Sequence, residues 1–143
     1  MNWFNVLVKL STLIPGQHVR VSRGLYFHHG IYLGDGRFAE LSKPSAGGRL
    51  RVVTAARFLG NGSPEVVTHA DGLPLNQVLA NVRRAPAQRP YNLFDWNCEH
   101  FATWCSTHRV QSRQVDAWNG VAAAVGAFAC VCCIVAVLDS ALA

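Results

Sequence analysis

Apolar positions in the first half of this chain change their period once. Residues 2–14 place Trp3, Phe4, Leu7, Leu10 and Ile14 at the spacing of one helical face, and Pro15-Gly16 ends the run. This short amphipathic helix has two readings: packing on the domain, or resting its Trp3-Phe4 end at a membrane interface. From His18 onward the spacing becomes that of strands, over residues 18–22, 25–33, 37–41 and 50–53. Arg23-Gly24, Gly34-Asp35-Gly36 and the stretch 44–48 separate them. Asp35-Gly36 between two apolar runs is a strong signal for a tight hairpin, so an antiparallel sheet is predicted here.

The second half turns helical. Thr54 is placed to cap a short helix ending near Leu59, residues 64–69 read as another strand, and residues 73–84 carry Leu75, Val78, Leu79 and Val82 on one face. Pro86 and Pro90 then force a turn. Asn97 is a favoured N-cap, which puts Cys98 at the first helical position, with Phe101, Trp104 and Cys105 as the apolar stripe behind it. The pattern predicts an α+β domain, an antiparallel β-sheet packed against helices.

Composition narrows the class. A chain of 143 residues is long enough to bury a core without disulfide staples, and with half its residues hydrophobic and 15% charged it is not a disordered one. The net charge of +5 and pI near 9.3 favour acidic partners. No nucleic-acid motif accompanies Arg20, Arg23, Arg49, Arg51, Arg83, Arg84 and Arg113, which suit an anionic lipid face better than DNA. Five cysteines, three of them (Cys130, Cys132, Cys133) in an apolar tail, form no disulfide framework. Cys98 and Cys105 lack the short spacing of a zinc site, and the histidines are dispersed, so neither metal nor organic cofactor is expected.

The chemistry concentrates in two segments, His28-His29-Gly30-Ile31-Tyr32 and Asn97-Cys98-Glu99-His100-Phe101. A thiol becomes a good nucleophile when it ionises, and a helix N-terminus and a nearby imidazolium both favour that ionisation. Cys98 has the first by position and could obtain the second from His28. In a strand, adjacent side chains face opposite sides, so only one of His28 and His29 can point at the thiol. Separately, each segment has a bland reading as a buried cysteine or a core histidine. Glu99 and His100 read as hydrogen-bonding or packing groups, while His18, His69 and His108 have no identifiable partner.

Together the two segments resemble the H-box and NCEHF motif of the lecithin:retinol acyltransferase family, permuted relatives of papain-like peptidases. The resemblance covers roughly residues 16–108. It implies the permuted papain-like fold, with Cys98 as nucleophile and His28 as its base. The family's third polar residue, usually His, falls at Glu40, whose carboxylate is expected to orient the His28 ring from the neighbouring strand. Tyr26 matches a family tyrosine that supports the oxyanion. The function implied is a thiol acyltransferase or phospholipase acting on lipid acyl esters through a Cys-linked acyl intermediate. Two alternatives stay open: an amidase or peptidase of the wider superfamily, and a non-enzymatic interaction or membrane-remodelling protein that keeps the fold.

Residues 121–138 carry no charge, and eighteen residues of helix span roughly 27 Å, close to the hydrocarbon thickness of a bilayer. Hence a catalytic domain over 1–116 and a hydrophobic C-terminal tail over 117–143 are expected. The tail reads as a membrane anchor, with a core or intersubunit helix as the bland alternative. No N-terminal signal peptide is expected, and the arginines before the tail place the domain on the cytoplasmic side.

Overall fold

The structure is a computed structural model that describes Val6 and residues 9–125, with side chains through Val121. Among the described residues, five strands form one antiparallel sheet: β1 (His18–Ser22), β2 (Phe27–Gly34), β3 (Arg37–Leu41), β4 (Leu50–Thr54) and β5 (Glu65–Val66). They lie in the order β4-β3-β2-β1-β5. Between β2 and β3, Asp35 (φ 49°) and Gly36 (φ 67°) make a two-residue turn with both φ values positive, flanked by the Gly34 and Arg37 pair. Among the described residues after β4, the helices are α1 (Ala55–Leu59), α2 (Leu75–Arg84), α3 (Cys98–Thr107) and α4 (Arg113–Val125).

Strand alternation splits the core in two. Val19 and Val21 of β1, Tyr32 of β2, Phe38 of β3 and Val53 of β4 meet Phe58 and Leu59 of α1, with Val6 and Leu10 of the N-terminal segment closing this side. The described part of that segment therefore packs on the domain; Trp3 and Phe4 lie outside the described residues. The opposite face carries Ile31, Ala39 and Leu41, covered by Val78 of α2 and by Phe101, Ala102 and Cys105 of α3. Phe58 stacks on Phe38 at 4.1 Å between ring centroids. It also explains Gly30: a Cβ there would come within 2.7 Å of the Phe58 ring and of the Ala39 carbonyl oxygen.

Three expectations shift. The strand expected over 25–33 begins at Phe27, because Arg23 N–H donates to the Tyr26 carbonyl at 2.8 Å and closes a turn through Gly24. The strand expected over 64–69 shrinks to Glu65–Val66, an edge strand that pairs only with Val19 and Arg20. The helix expected from 73 begins at Leu75, because Pro74 is its N-cap with extended ψ (140°) and the residue before a proline, here Leu73, disfavours helical backbone.

Helix α4 runs across residues 116 and 117, so the boundary expected there falls inside a helix. Its start is tied down: Ser112 Oγ accepts from Val115 N–H at 3.3 Å and its carbonyl accepts from Asp116 N–H at 3.0 Å. Val115 is buried, whereas Trp118 and Val121 are exposed. No helix among the described residues is long and apolar enough to cross a membrane. Most of the uncharged run, and with it the expected hydrophobic C-terminal helix, lies outside the described residues.

Candidate active site

Asn97 builds the end of α3 that holds the thiol. Its side-chain oxygen accepts from Glu99 N–H at 2.9 Å and His100 N–H at 3.1 Å, and its own N–H donates to His100 Nδ1 at 3.2 Å. This reciprocal capping box explains why His100 follows Asn97 by three positions. Phe101 N–H goes to the Asn97 carbonyl at 3.0 Å. The cap thus consumes the Glu99 and His100 N–H groups of the first turn and leaves that of Cys98 outside it.

Cys98 is buried at the first helical position, with Sγ 4.0 Å from the Phe27 carbonyl oxygen and the thiol hydrogen-bonded to the His28 ring. On the other side of that ring, Nε2–H donates to Glu40 Oε2 at 2.6 Å, which leaves Nδ1 for the thiol. Burial pulls the His28 pKa down, but hydrogen bonds to Cys98 and Glu40, and electrostatic attraction to these two groups, outweigh it and raise it to about 9. A proton that reaches Nδ1 is therefore held by this imidazole at neutral pH.

Glu40 is fixed from two sides. Arg51, opposite it in the β3–β4 ladder, donates from Nε to Glu40 Oε1 at 2.8 Å, and its terminal nitrogen lies 2.8 Å from the same oxygen. Burial opposes ionisation of the carboxyl, yet His28 and Arg51 together hold its pKa below the ordinary carboxylate value. Arg51 is missing from the sequence-level site. The register would have found it, since pairing residues 37–41 with 50–54 sets Glu40 against Arg51. Arg51 is thus held within the protein, as is Arg23, which donates to the Phe58 and Leu59 carbonyls at 2.5 and 3.0 Å, while Arg20 pairs with Glu65 at 2.9 Å on the exposed surface.

Two further residues close the site from behind. Gln114 brackets the Phe27 backbone, accepting from its N–H at 2.7 Å through Oε1 and donating to its carbonyl at 3.2 Å through Nε2. The same Nε2 faces Glu99 Oε2 at 3.2 Å, and Glu99 also accepts from Ser112 Oγ at 2.5 Å and from Gln114 N–H at 3.1 Å. The residue before His28 and the residue after Cys98 are therefore joined through one amide. Nothing in the local pattern of 112–114 signals this long-range contact.

The remaining candidates sort as follows. Tyr26 sits half-buried in the β1–β2 turn, one residue before β2. His29 points to the face of β2 opposite that of His28, as alternation requires, with its Nδ1 2.8 Å from His18 Nε2. The absence of partners expected for three other histidines is overturned: His18 bonds both His29 and His69, and His108, in left-handed conformation at the C-cap of α3, lies 3.3 Å from Asn81 Nδ2. Among the described residues no group of His, Cys, Asp or Glu is arranged to hold a metal ion.

Comparisons with known proteins bear on the same segments. The model of the family described as "Lecithin retinol acyltransferase" matches residues 11–111. The chain is 33% identical over 129 residues to lecithin retinol acyltransferase of Mus musculus, covering 68% of this chain and 55% of that protein. Against the Bos taurus protein of the same name it is 27% identical over 143 residues, covering 78% and 62%. Against phospholipase A and acyltransferase 3 of Mus musculus it is 28% identical over 107 residues, covering 61% and 66%. The chain thus spans somewhat more than half the length of the relatives it matches. With most of its length matched and both motifs inside the match, the chain belongs to the lecithin retinol acyltransferase family.

Proposed function

We propose that this chain is a cysteine-dependent acyltransferase or phospholipase that takes an acyl group from a lipid ester onto Cys98. The observation that carries the reading is the Cys98 thiol at a capped helix N-terminus against His28, with Glu40 2.6 Å from the far nitrogen of the same ring. The relatives' names, with their lecithin, phospholipase A and acyltransferase, support a phospholipid donor.

The thiol proton passes to His28, and the thiolate attacks the ester carbonyl carbon. The C–S bond forms as the carbonyl electrons move to oxygen; the Cys98 N–H and the Tyr26 hydroxyl are the candidate donors to that oxyanion. Collapse expels the lipid alcohol, which takes the proton from His28 and leaves an acyl thioester on Cys98. An incoming acceptor then gives its proton to His28 as it attacks the thioester, and the thiolate departs. Water as acceptor gives hydrolysis; an amine or alcohol gives transfer. Glu40 keeps the imidazole oriented and stabilises its charge, a role filled elsewhere by a third triad member.

Membrane association belongs to the same reading, with residues 1–116 as the catalytic domain, 117–143 as the anchor, and the domain on the cytoplasmic face. Because α4 crosses that division, the truncation that tests the anchor keeps α4 as far as Val125. Flotation with liposomes tests the anchor: the full chain is expected to float and the truncated chain to remain below, and equal behaviour contradicts it. An activated acyl ester tests the chemistry. Labelling of the wild type but not of Cys98→Ala is expected, and equal labelling contradicts the assignment.

A further inference from the structure

Three imidazoles lie in a row behind His28, and the reaction above uses none of them. His69 Nε2 is 2.8 Å from His18 Nδ1, His18 Nε2 is 2.8 Å from His29 Nδ1, and His29 Nε2 is 3.3 Å from Gln114 Nε2. Consecutive rings meet through opposite nitrogens of His18, so the row is a hydrogen-bonded chain and not a shared ligand set. His18 and His69 border a polar cavity of about 180 Å³, with Asp71, Glu99, Arg109 and Arg113 around it.

A ring nitrogen can donate or accept, but Gln114 fixes the direction here. The Phe27 backbone sets the amide's orientation, because its N–H needs the Gln114 oxygen and its carbonyl needs the nitrogen. The atom facing His29 is therefore a donor only. An N–H on His29 Nε2 would face this donor, so the His29 proton sits on Nδ1 and is donated to His18 Nε2, while His29 Nε2 shares the two amide hydrogens with the Phe27 carbonyl and Glu99 Oε2. By the same step His18 carries its proton on Nδ1 and donates it to His69 Nε2, and His69 carries its proton on Nδ1.

We propose that the His69–His18–His29 chain is a positioning network for the Phe27–His28 end of β2, which holds Gln114 on the Phe27 backbone while all three rings are neutral and donate in one direction. Only its consequence for turnover rests on the function proposed for His28 and Cys98. The groups facing the chain come from every neighbouring element: Arg20 of β1, His28 of β2, Asp71 of the loop before α2, Glu99 of α3 and Arg113 of α4. Burial dominates at each ring. It lowers His18 well below the ordinary histidine value, with help from His29, His69 and Arg20. It lowers His29 to about 4 against the pull of Glu99, and lowers His69 together with Arg113. Protonation would put an N–H on His29 Nε2 against the Gln114 N–H, donor against donor, and release the amide.

The test uses the full chain in detergent with 15N-labelled histidine, read by long-range 1H–15N correlation. At neutral pH His18, His29 and His69 are expected as neutral Nδ1–H tautomers. An Nε2–H tautomer or a charged ring at any of the three overturns the proposal. Exchange of the Phe27 amide gives a second reading. His69→Leu, which removes the last acceptor, is expected to speed that exchange about tenfold. His69→Gln, whose amide oxygen can replace Nε2, is expected to restore it. Unchanged Phe27 exchange in His69→Leu also overturns the proposal. Acylation of Cys98 should slow in His69→Leu and recover in His69→Gln, with the half-saturating lipid concentration unchanged. A wild type that never acylates sinks the proposed function, while the tautomers and the exchange still decide the network.

Discussion

His28 and His29 are the same residue type one peptide bond apart, and the fold gives them opposite electrostatics. The His28 ring, 14% exposed, holds its proton up to about 9; the His29 residue, 3% exposed, gives its proton up near 4. Desolvation lowers both pKa values and both rings have a carboxylate nearby, so burial alone does not divide them. Contact does. Glu40 accepts directly from His28 at 2.6 Å, with the thiol on the other nitrogen, whereas Glu99 acts on His29 only through space, with Gln114 and His18 occupying the ring's hydrogen bonds. A charge–charge hydrogen bond overcomes desolvation here, and an indirect attraction does not.

The most direct way to break this contrast is to remove each ring. His28→Ala is expected to slow acylation of Cys98 by about 10²–10⁴-fold, the range lost with a general base. His29→Ala is expected to slow it far less, by about tenfold through loosened positioning. Acylation rates of the two variants decide the matter, and a reversed order would mean that the wrong face of β2 carries the chemistry.

Glu40 sharpens the contrast next. Glu40→Gln removes the charge that holds the His28 proton, so acylation should fall at least about tenfold. The alkaline limb of its pH profile should move to lower pH. Glu40→His restores the residue usual in the family but sets it against Arg51, 2.8 Å from the Glu40 carboxylate in the wild type. It should therefore retain more activity than Glu40→Ala, and more still when combined with Arg51→Gln. A fully active Glu40→Ala would reduce this carboxylate to a structural partner of Arg51.

How much of this was legible follows from the range of the forces involved. The strand limits of β1 and β3, the Asp35-Gly36 turn, the Thr54 and Asn97 caps and the position of Cys98 were readable because each depends on residues within a turn or a strand. Thr54 Oγ1 does accept from Arg57 N–H, at 3.4 Å, and Glu40 does reach His28. Arg51 was one inference further, recoverable from ladder register. The Gln114 clamp and the histidine chain were not recoverable, since they join residues 85 and 51 positions apart through rings whose roles depend on a third element. A single sequence marks His18 and His69 only as polar residues beside apolar ones.

Stability against pH extends the contrast to the folded state, with opposite signs. His28 is raised above its ordinary 6.5, so its contribution is complete below that value and lost as pH rises through about 9. His29 is lowered, so its contribution is complete above 6.5 and lost as pH falls toward about 4. Thermal unfolding should therefore weaken at both ends. His28→Gln should flatten the alkaline side, His29→Gln the acid side, and an unchanged curve in either would contradict the assigned environment.

The smallest effect is expected at the second thiol. Cys105 is fully buried on α3, seven residues beyond Cys98, and burial pushes its pKa up. Cys105→Ala should leave acylation intact and cost about 1 kcal/mol of stability for the lost sulfur contacts. Loss of acylation with the fold preserved would place chemistry where none is assigned.

The central claim is that Cys98 carries the acyl group, and the intact mass of the full-length protein after incubation with mixed phospholipid vesicles tests it most directly. One fatty-acyl increment that maps to Cys98 and disappears in Cys98→Ala is the predicted result. An adduct that persists in Cys98→Ala, or turnover of phospholipid in that variant at the wild-type rate, would contradict it.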